Sequence, residues 1–357
     1  MSENLRDTIR NLSEIYDKES DDSYVSVYLG KNLDTKFLDR RIKAIKKILK
    51  GNELKNFEKT TDKIKEIISK NNDDNKAIFA SDKNNFQKYI PLNVEIDKLL
   101  VVDSSPYLRP LARILDEWES YTLLVLNSNS AKIFSISMGT VDSTKKISKD
   151  IMNKHKKGGW SQGRFNRLRR GAIKSFFKDV IELLEKRADD RIVIAGPGTS
   201  KNKFIEMLPQ ALEEKIVDVV DISIEDENEL IKKSLQIVSE KEQEQSKKAA
   251  EHLKSEILKD GLAVYGPKET LVAVKNGQVE LLIIEKDHKI RGWICEHCQY
   301  VEEGVKTKCS YCGNKTSEVD LIEEILEFGE RTDVEIEFTD DEIIRELGHV
   351  GGILRYK

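Results

Sequence analysis

Apolar residues along the chain switch between two spacings. Leu5, Ile9, Leu12 and Ile15 recur at three and four residues and predict an opening helix. Tyr24–Leu29 (YVSVYL) is rich in β-formers and predicts a strand. Helical spacing returns over 36–70, broken near Gly51 and Asn52; Leu38, Ile42, Ile45 and Leu49 mark one face, and Phe57, Ile64, Ile67 and Ile68 the next. Residues 77–80, 87–91 and 99–103 read as strands, and Pro106 and Pro110 start a short helix ending near Trp118.

A second group of elements follows. Residues 121–126 (YTLLVL) and 131–137 are strands joined by the turn Asn127-Ser-Asn-Ser, hence a hairpin. A polar, basic connection leads to Gly158-Gly159-Trp160-Ser161-Gln162, read as a loop tip, and then to a long helix. In that helix Phe165, Leu168, Ala172, Phe176, Val180 and Leu183 form one apolar stripe. Residues 191–195 are a short buried strand running into Gly196-Pro197-Gly198, with a helix starting at Ser200 or Lys201. Strand, glycine turn and helix resemble a phosphate cradle. The G-x-x-x-x-G-K-[ST] spacing is missing, so a tight structural turn is the better reading. Residues 216–222 are a strand, and a charged helix continues to about 260.

A third group opens at Gly261. Residues 268–276 are helical, 279–284 (VELLII) are a strong strand, 334–338 are a strand and 341–347 a helix. The predicted fold class is α/β (α+β) in three domains. They are an N-terminal α/β domain at 1–118, a central domain at 119–238 with a mixed sheet, helices and a Gly-Gly loop, and a C-terminal α/β domain at 239–357.

Charge sharpens this picture at one place. The whole chain carries a net charge of −4, yet between residues 143 and 178 there are twelve Lys or Arg against one acid, Asp150. Arg164, Arg167, Arg170, Lys174 and Lys178 fall opposite the apolar stripe; Arg169 lies nearer to it and suits a structural pair. Basic charge concentrated around a Gly-Gly tip is what binding to a polyanion requires. The opening MSENLRDTIRNL is polar and no apolar run nears the roughly 18 residues of a membrane helix. A cytoplasmic protein without membrane contact is expected.

All four cysteines lie within eighteen residues, as Cys295-x-x-Cys298 and Cys309-x-x-Cys312. Each short turn lets two thiolates converge on one tetrahedral ion, so a structural zinc ribbon is expected at 293–315. Four thiolates leave no open position for catalysis; His297 is an alternative ligand.

Gly158-Gly159-Trp160-Ser161-Gln162-Gly163-Arg164-Phe165-Asn166-Arg167-Leu168-Arg169 resembles the Gly-Gly-Gln tip and following Ser-x-x-Arg-Phe-x-Arg-x-Arg of the archaeal and eukaryotic class-one peptide release factors. The Gly196-Pro197-Gly198 element, the opening Tyr265-Gly-Pro-Lys-Glu-Thr of the third domain, the paired CxxC knuckles and Gly351-Gly-Ile-Leu-Arg-Tyr are similar to that family as well. The likeness is good over 120–357 and only architectural over 1–118. Two departures stand out. Trp160 occupies the position of the family's glutamine, with Gln162 two residues later. The first domain lacks the Asn-Ile-Lys-Ser and Tyr-x-Cys-x-x-x-Phe codon-reading motifs, the second being impossible because no cysteine precedes Cys295. This displaced glutamine resembles the Vms/ANKZF-type release-factor-like peptidyl-tRNA hydrolases of ribosome-associated quality control.

The resemblance implies ester hydrolysis at the tRNA 3′ end on stalled ribosomes or split large subunits. Gly158 and Gly159 would let the backbone approach the terminal adenosine, Gln162 would orient the water by side chain or backbone N–H, and Trp160 would stack on a base or sugar. Lys156, Lys157, Arg164, Arg167 and Arg170 would hold tRNA and rRNA phosphates. His155 is a weak candidate for general base. The implied partners are the large ribosomal subunit, peptidyl-tRNA, and a translational GTPase or recycling factor, with the protein a monomer off the ribosome. Alternatives are a non-hydrolytic Pelota-like dissociation factor, whose relatives lack the glycine tip, a stop-codon-dependent release factor, and, remotely, an RNA-processing nuclease.

Overall fold

In the computed structural model, the described residues are 5–30, 35–71, 73–118, 120–137, 140–149, 151, 160–197, 199–221 and 227–356. They divide into two compact units, residues 1–117 with 243–357, and residues 118–242.

The N-terminal segment contributes α1 (Leu5–Ser13), β1 (Tyr24–Leu29), α2 (Thr35–Ile45), α3 (Gly51–Lys70), β2 (Asn75–Ser81), β3 (Phe86–Leu92), β4 (Leu99–Asp103) and α4 (Arg109–Glu117). The four strands form an antiparallel sheet in the order β3-β2-β1-β4. β1 is central and buried on both faces. Val25, Val27 and Leu29 pack under α2 and α3 with Leu38, Ile42 and Phe57. On the other face the Tyr28 hydroxyl donates to the Tyr107 carbonyl at 2.5 Å, and the Tyr107 N–H donates to Ser26 Oγ at 2.9 Å.

The chain continues with β5 (Tyr121–Leu126), β6 (Ser130–Ser137), β7 (Thr140–Ser148), α5 (Trp160–Arg187), β8 (Ile192–Ala195), α6 (Ser200–Ile205), α7 (Gln210–Glu213), β9 (Ile216–Val220) and α8 (Glu227–Leu258). The sheet of this unit runs β7-β6-β5-β8-β9 and is mixed: β5, β8 and β9 are parallel, and β6 and β7 antiparallel. Alternate side chains of the sheet serve two cores. Leu124, Ile133 and Ile194 meet Phe176, Phe177 and Val180 of α5. Tyr121, Leu123 and Val193 meet Leu230 and Val238 of α8. β7 corrects the sequence reading, which makes 138–157 a polar connection. Residues 141–146 of β7 are exposed, so no apolar alternation marks them; the strand exists through its backbone ladder to β6.

The remaining elements are β10 (Ala263–Tyr265), α9 (Pro267–Lys275), β11 (Val279–Glu285), β12 (Arg291–Cys295), β13 (Tyr300–Glu303), β14 (Ser317–Asp320), α10 (Leu321–Arg331), β15 (Glu335–Thr339), α11 (Glu342–Glu346) and β16 (Val350–Leu354). They build a second mixed sheet, β10-β16-β11-β15, and the small sheet β13-β12-β14. The glycine pair of the closing motif is a packing requirement. A Cβ on Gly351 would lie 2.7 Å from Leu253 Cδ2 of α8 and 3.0 Å from the Val264 carbonyl oxygen.

α10 is absent from the sequence reading because its glutamates blur the apolar face. Glu323, Glu324 and Glu327 are buried along with Ile322, Ile325 and Leu326. Glu323 accepts the backbone N–H groups of Leu108 and Arg109, where α4 begins. Glu327 accepts from Ser105 Oγ at 2.7 Å and pairs with Arg331 at 3.0 Å. Arg109 pairs with Asp320 at 3.2 Å and donates to the Glu285 carbonyl at 2.7 Å. Residues 1–117 are thus joined to 243–357 through buried polar groups. Burial pushes the Glu323 carboxyl up to about 7, and Glu324 and Glu327 well above their ordinary range.

The glycine turn after β8 is structural. A Cβ on Gly196 would sit 2.0 Å from the Leu126 carbonyl oxygen, so only glycine lets the chain leaving β8 pass the end of β5. Lys201, 4% exposed, gives its ammonium to the Gly196 carbonyl at 3.3 Å and to Asp221, which leaves it committed internally. Gly196→Ala is expected to lower unfolding free energy by about 3 kcal/mol in urea titration, because the obstacle is backbone and not a flexible side-chain end. Among the described residues no helix is long and apolar enough to cross a membrane.

Candidate functional site

The basic region centres on the start of α5. His155, Lys156, Lys157, Gly158 and Gly159 lie outside the described residues. Trp160, Ser161 and Gln162, read from the sequence as part of the loop tip, are already helical.

Beyond them the helix is solvent-facing for two turns. Arg164, Arg167 and Arg170 are exposed and Arg169 is half-buried. Phe165 is 42% and Leu168 54% exposed, which corrects their placement in a core stripe. Burial begins at Ala172, which is partly covered, and becomes complete at Phe176 and Phe177, where the helix crosses the sheet. The period of the pattern is right, but half of it has no sheet beneath it. The exposed segment therefore combines two large apolar side chains with three arginines, and the first acid in α5 is Asp179. Arginine with exposed apolar or aromatic surface is the composition that meets phosphates and base or sugar faces together.

The second cluster is the four cysteines. β12 supplies Cys295, the turn after it Cys298, and the loop between β13 and β14 Cys309 and Cys312. Cys295 Sγ is 3.5 Å from Cys312 Sγ, and Cys298 Sγ is 3.7 Å from Cys309 Sγ. Four sulfurs each about 2.3 Å from one tetrahedral zinc ion stand about 3.8 Å apart, close to these two separations. The Tyr311 N–H and Asn314 Nδ2 point at Cys309 and Cys312 Sγ, at 3.3 and 3.4 Å. Such donors orient and stabilise thiolates. His297 is outside the group of four.

The cysteine sheet is docked on the N-terminal segment. Glu296, beside Cys295, gives its N–H to Ser20 Oγ at 3.0 Å and accepts from Ser104 Oγ at 2.6 Å. Ser317 Oγ donates to the Ser20 carbonyl at 2.9 Å. Lys315 bridges Asp21 and Glu53 at 2.8 and 2.7 Å. Cys298→Ser is expected to remove about one zinc equivalent in elemental analysis and to raise the rate of limited proteolysis within residues 1–117. A variant that keeps its zinc, or loses it without loosening that segment, would contradict this. The buried acids of α10 and the trio Glu285, His288 and His349 are absent from the sequence reading; neither has a motif, because their members come from separate elements.

Two family models and several curated proteins match this chain. A family model described as bacterial archaeo-eukaryotic release factor family 10 matches residues 106–258, and one described as eRF1 domain 3 matches residues 241–357. Peptide chain release factor subunit 1 of Pyrococcus abyssi is 31% identical over 304 residues, covering 75% of this chain and 73% of its own length. The protein of the same description from Methanocaldococcus jannaschii is 28% identical over 296 residues, covering 71% and 70%. The crystal structure of an archaeal translation termination factor, aRF1, aligns over 99% of this chain and 97% of its own, at 16% identity and a TM-score of 0.28. The chain belongs to the archaeo-eukaryotic peptide release factor family.

Proposed function

We propose that this protein is a ribosome-dependent peptidyl-tRNA hydrolase that frees nascent chains from tRNA on stalled ribosomes or split large subunits. The observation that carries the reading is the exposed basic segment of α5. The chain is helical from Trp160 on, and Arg164, Arg167 and Arg170 face solvent. Lys156 and Lys157 extend the positive charge on the other side of the glycines.

In this reading the Gly-Gly pair lets the chain pass close to the terminal adenosine of the tRNA. The Gln162 amide or a backbone N–H of the tip orients a water and stabilises the oxyanion that forms on the ester carbonyl. The water adds to the carbonyl carbon, the ribose oxygen leaves, and a proton returns to it. Trp160 stacks beside the reacting end. The arginines and lysines hold phosphates of tRNA and rRNA. Zinc, held by Cys295, Cys298, Cys309 and Cys312, shapes the C-terminal domain and takes no part in the reaction.

We further assign a division into domains at 1–118, 119–238 and 239–357, a cytoplasmic location, and a monomer off the ribosome. A translational GTPase or recycling factor is the proposed partner, taken up by the residues that match eRF1 domain 3. The test is cleavage of peptidyl-tRNA on purified stalled large subunits. Release by the wild type supports the hydrolase. Subunit binding without release replaces it with a Pelota-like dissociation factor. On whole ribosomes, release that occurs only with a stop codon in the decoding site replaces it with a termination factor.

A further inference from the structure

Basic charge is concentrated a second time, in the N-terminal segment. Between residues 36 and 50 there are seven Lys or Arg against one acid, Asp39, in a chain whose net charge is −4. The fold gathers them on one surface. α2 buries Leu38, Ile42 and Ile45, and Leu49 joins the same core. Helical winding carries on past the end of α2: the Lys46 N–H donates to the Ile42 carbonyl at 3.0 Å, and the Ile48 N–H to the Ile45 carbonyl at 2.9 Å. Lys36, Arg40, Lys43 and Lys47 recur at steps of four and three, so they share one side of this stretch. All seven basic side chains are exposed. α3 starts directly after Lys50 with no side chain capping its first turn, and its positive end adds to the same field.

Ion pairing leaves most of this charge unanswered. Lys46 pairs with Glu58 at 3.0 Å, and Asp39 is taken by Lys65 of α3 at 3.0 Å. Glu53 is held by Lys315 at 2.7 Å. Arg40 Nε and Arg41 Nε donate to the backbone carbonyls of Lys36 and Leu100, at 3.2 and 3.4 Å, which leaves both charges in place. Lys36, Lys43, Lys47 and Lys50 have no ion-pair partner among the described residues. Like charges three and four residues apart on a helix repel. A polyanion laid along the stripe therefore relieves repulsion as well as adding attraction.

The fold also separates the two polyanionic surfaces that attract such a stripe. A helix that docks on a lipid surface does so with its apolar face. In α2 that face is spent on the core, and Ile48, 74% exposed, is the one strongly exposed large apolar side chain between 36 and 50. A row of cations about 17 Å long, from Lys36 to Lys47, instead suits the closely spaced phosphates of a nucleic-acid duplex. The wide, shallow minor groove of duplex RNA presents sugar faces on which a single side chain such as Ile48 can rest.

We propose that the exposed face of α2, with the turn after it, is a second RNA-binding surface that holds the phosphate backbone of duplex RNA without reading its sequence. It belongs to the compact unit that does not contain α5. Such a surface would act whether or not the α5 tip hydrolyses an ester.

The test is binding of the full chain to a synthetic RNA duplex of about 20 base pairs, by fluorescence anisotropy, between about 50 and 200 mM KCl. The triple variant Lys36→Gln, Lys43→Gln, Lys47→Gln is expected to bind about tenfold more weakly or worse at the lowest salt. Its plot of log affinity against log salt should be shallower by about 3, one for each lost phosphate contact. The triple variant with Arg at the same positions should keep wild-type affinity, because a guanidinium still meets each phosphate. All three side chains are exposed, so both variants are expected to melt with the wild type. Unchanged affinity and slope in the Gln variant would overturn the assignment, as would equal losses in the Gln and Arg variants or no duplex binding by the wild type. Wild-type binding to phosphatidylserine vesicles that the Gln variant loses, with RNA binding unchanged, would also overturn it and give the face to a membrane.

Discussion

Gln162→Ala is expected to slow peptide release on stalled large subunits by about 10²–10³-fold, the effect of removing one donor to a developing oxyanion. Subunit binding should change little, because the phosphate contacts assigned to Lys156, Lys157, Arg164, Arg167 and Arg170 are untouched. The alternative is that a backbone N–H of the tip orients the water in place of the Gln162 side chain. If release survives Gln162→Ala, the donor is the backbone, and the residue to change is Gly159. Gly159→Val adds a branched side chain where the chain must pass the terminal adenosine, and release should be abolished in either case. Release that survives both variants would remove the tip from the chemistry. A single-turnover assay with a radiolabelled peptide, beside a pelleting assay for binding, separates these outcomes.

The second large effect concerns stability. Glu323→Ala is expected to cost about 3 kcal/mol, because it strands two buried backbone donors at the start of α4 and leaves Arg109 less well compensated. A further signature lies in pH dependence. Burial raises the Glu323 carboxyl from its ordinary value near 4.5 to about 7. The folded protein therefore holds this proton more tightly than the unfolded chain does. Stability from this group is fully present below about 4.5 and declines as pH rises through 7. Glu324 and Glu327 act in the same direction. Glu323→Gln keeps an acceptor but cannot ionise, so denaturant unfolding should show a flatter profile between pH 4.5 and 7 than the wild type. An unchanged slope would mean that Glu323 does not titrate in that window.

Most single elements were legible in the chain. The strands Tyr24–Leu29 and Leu99–Asp103, the helix from Ser200 and the hairpin at 121–137 follow from apolar spacing and turn residues, because each is set by its own neighbours. Two of the exceptions show why others were not. β7 is an edge strand held by backbone hydrogen bonds, and hydrogen bonds leave no trace in side-chain periodicity. α10 buries glutamates that are tolerable only because Arg109, Arg331, Ser105 and the start of α4 stand opposite them.

The candidate sites and side-chain clusters divide in the same way. The cysteine set was readable because its spacing alone brings paired thiols together, and the tip because glycines and basic residues are contiguous. The side-chain cluster of Glu285, His288 and His349 was not, since 64 residues separate its ends and only the pairing of β11 with β16 closes that gap.

By itself, then, the sequence determined the order and type of most elements, the four-cysteine set and the location of the basic tip, all properties of short windows of chain. Only the tertiary structure decided that Phe165 and Leu168 face solvent, that Trp160 and Gln162 are helical, and that residues 1–117 pack with 243–357 through buried acids. Those outcomes depend on which surfaces meet across long separations, and burial, unlike periodicity, is a property of the partner as much as of the segment.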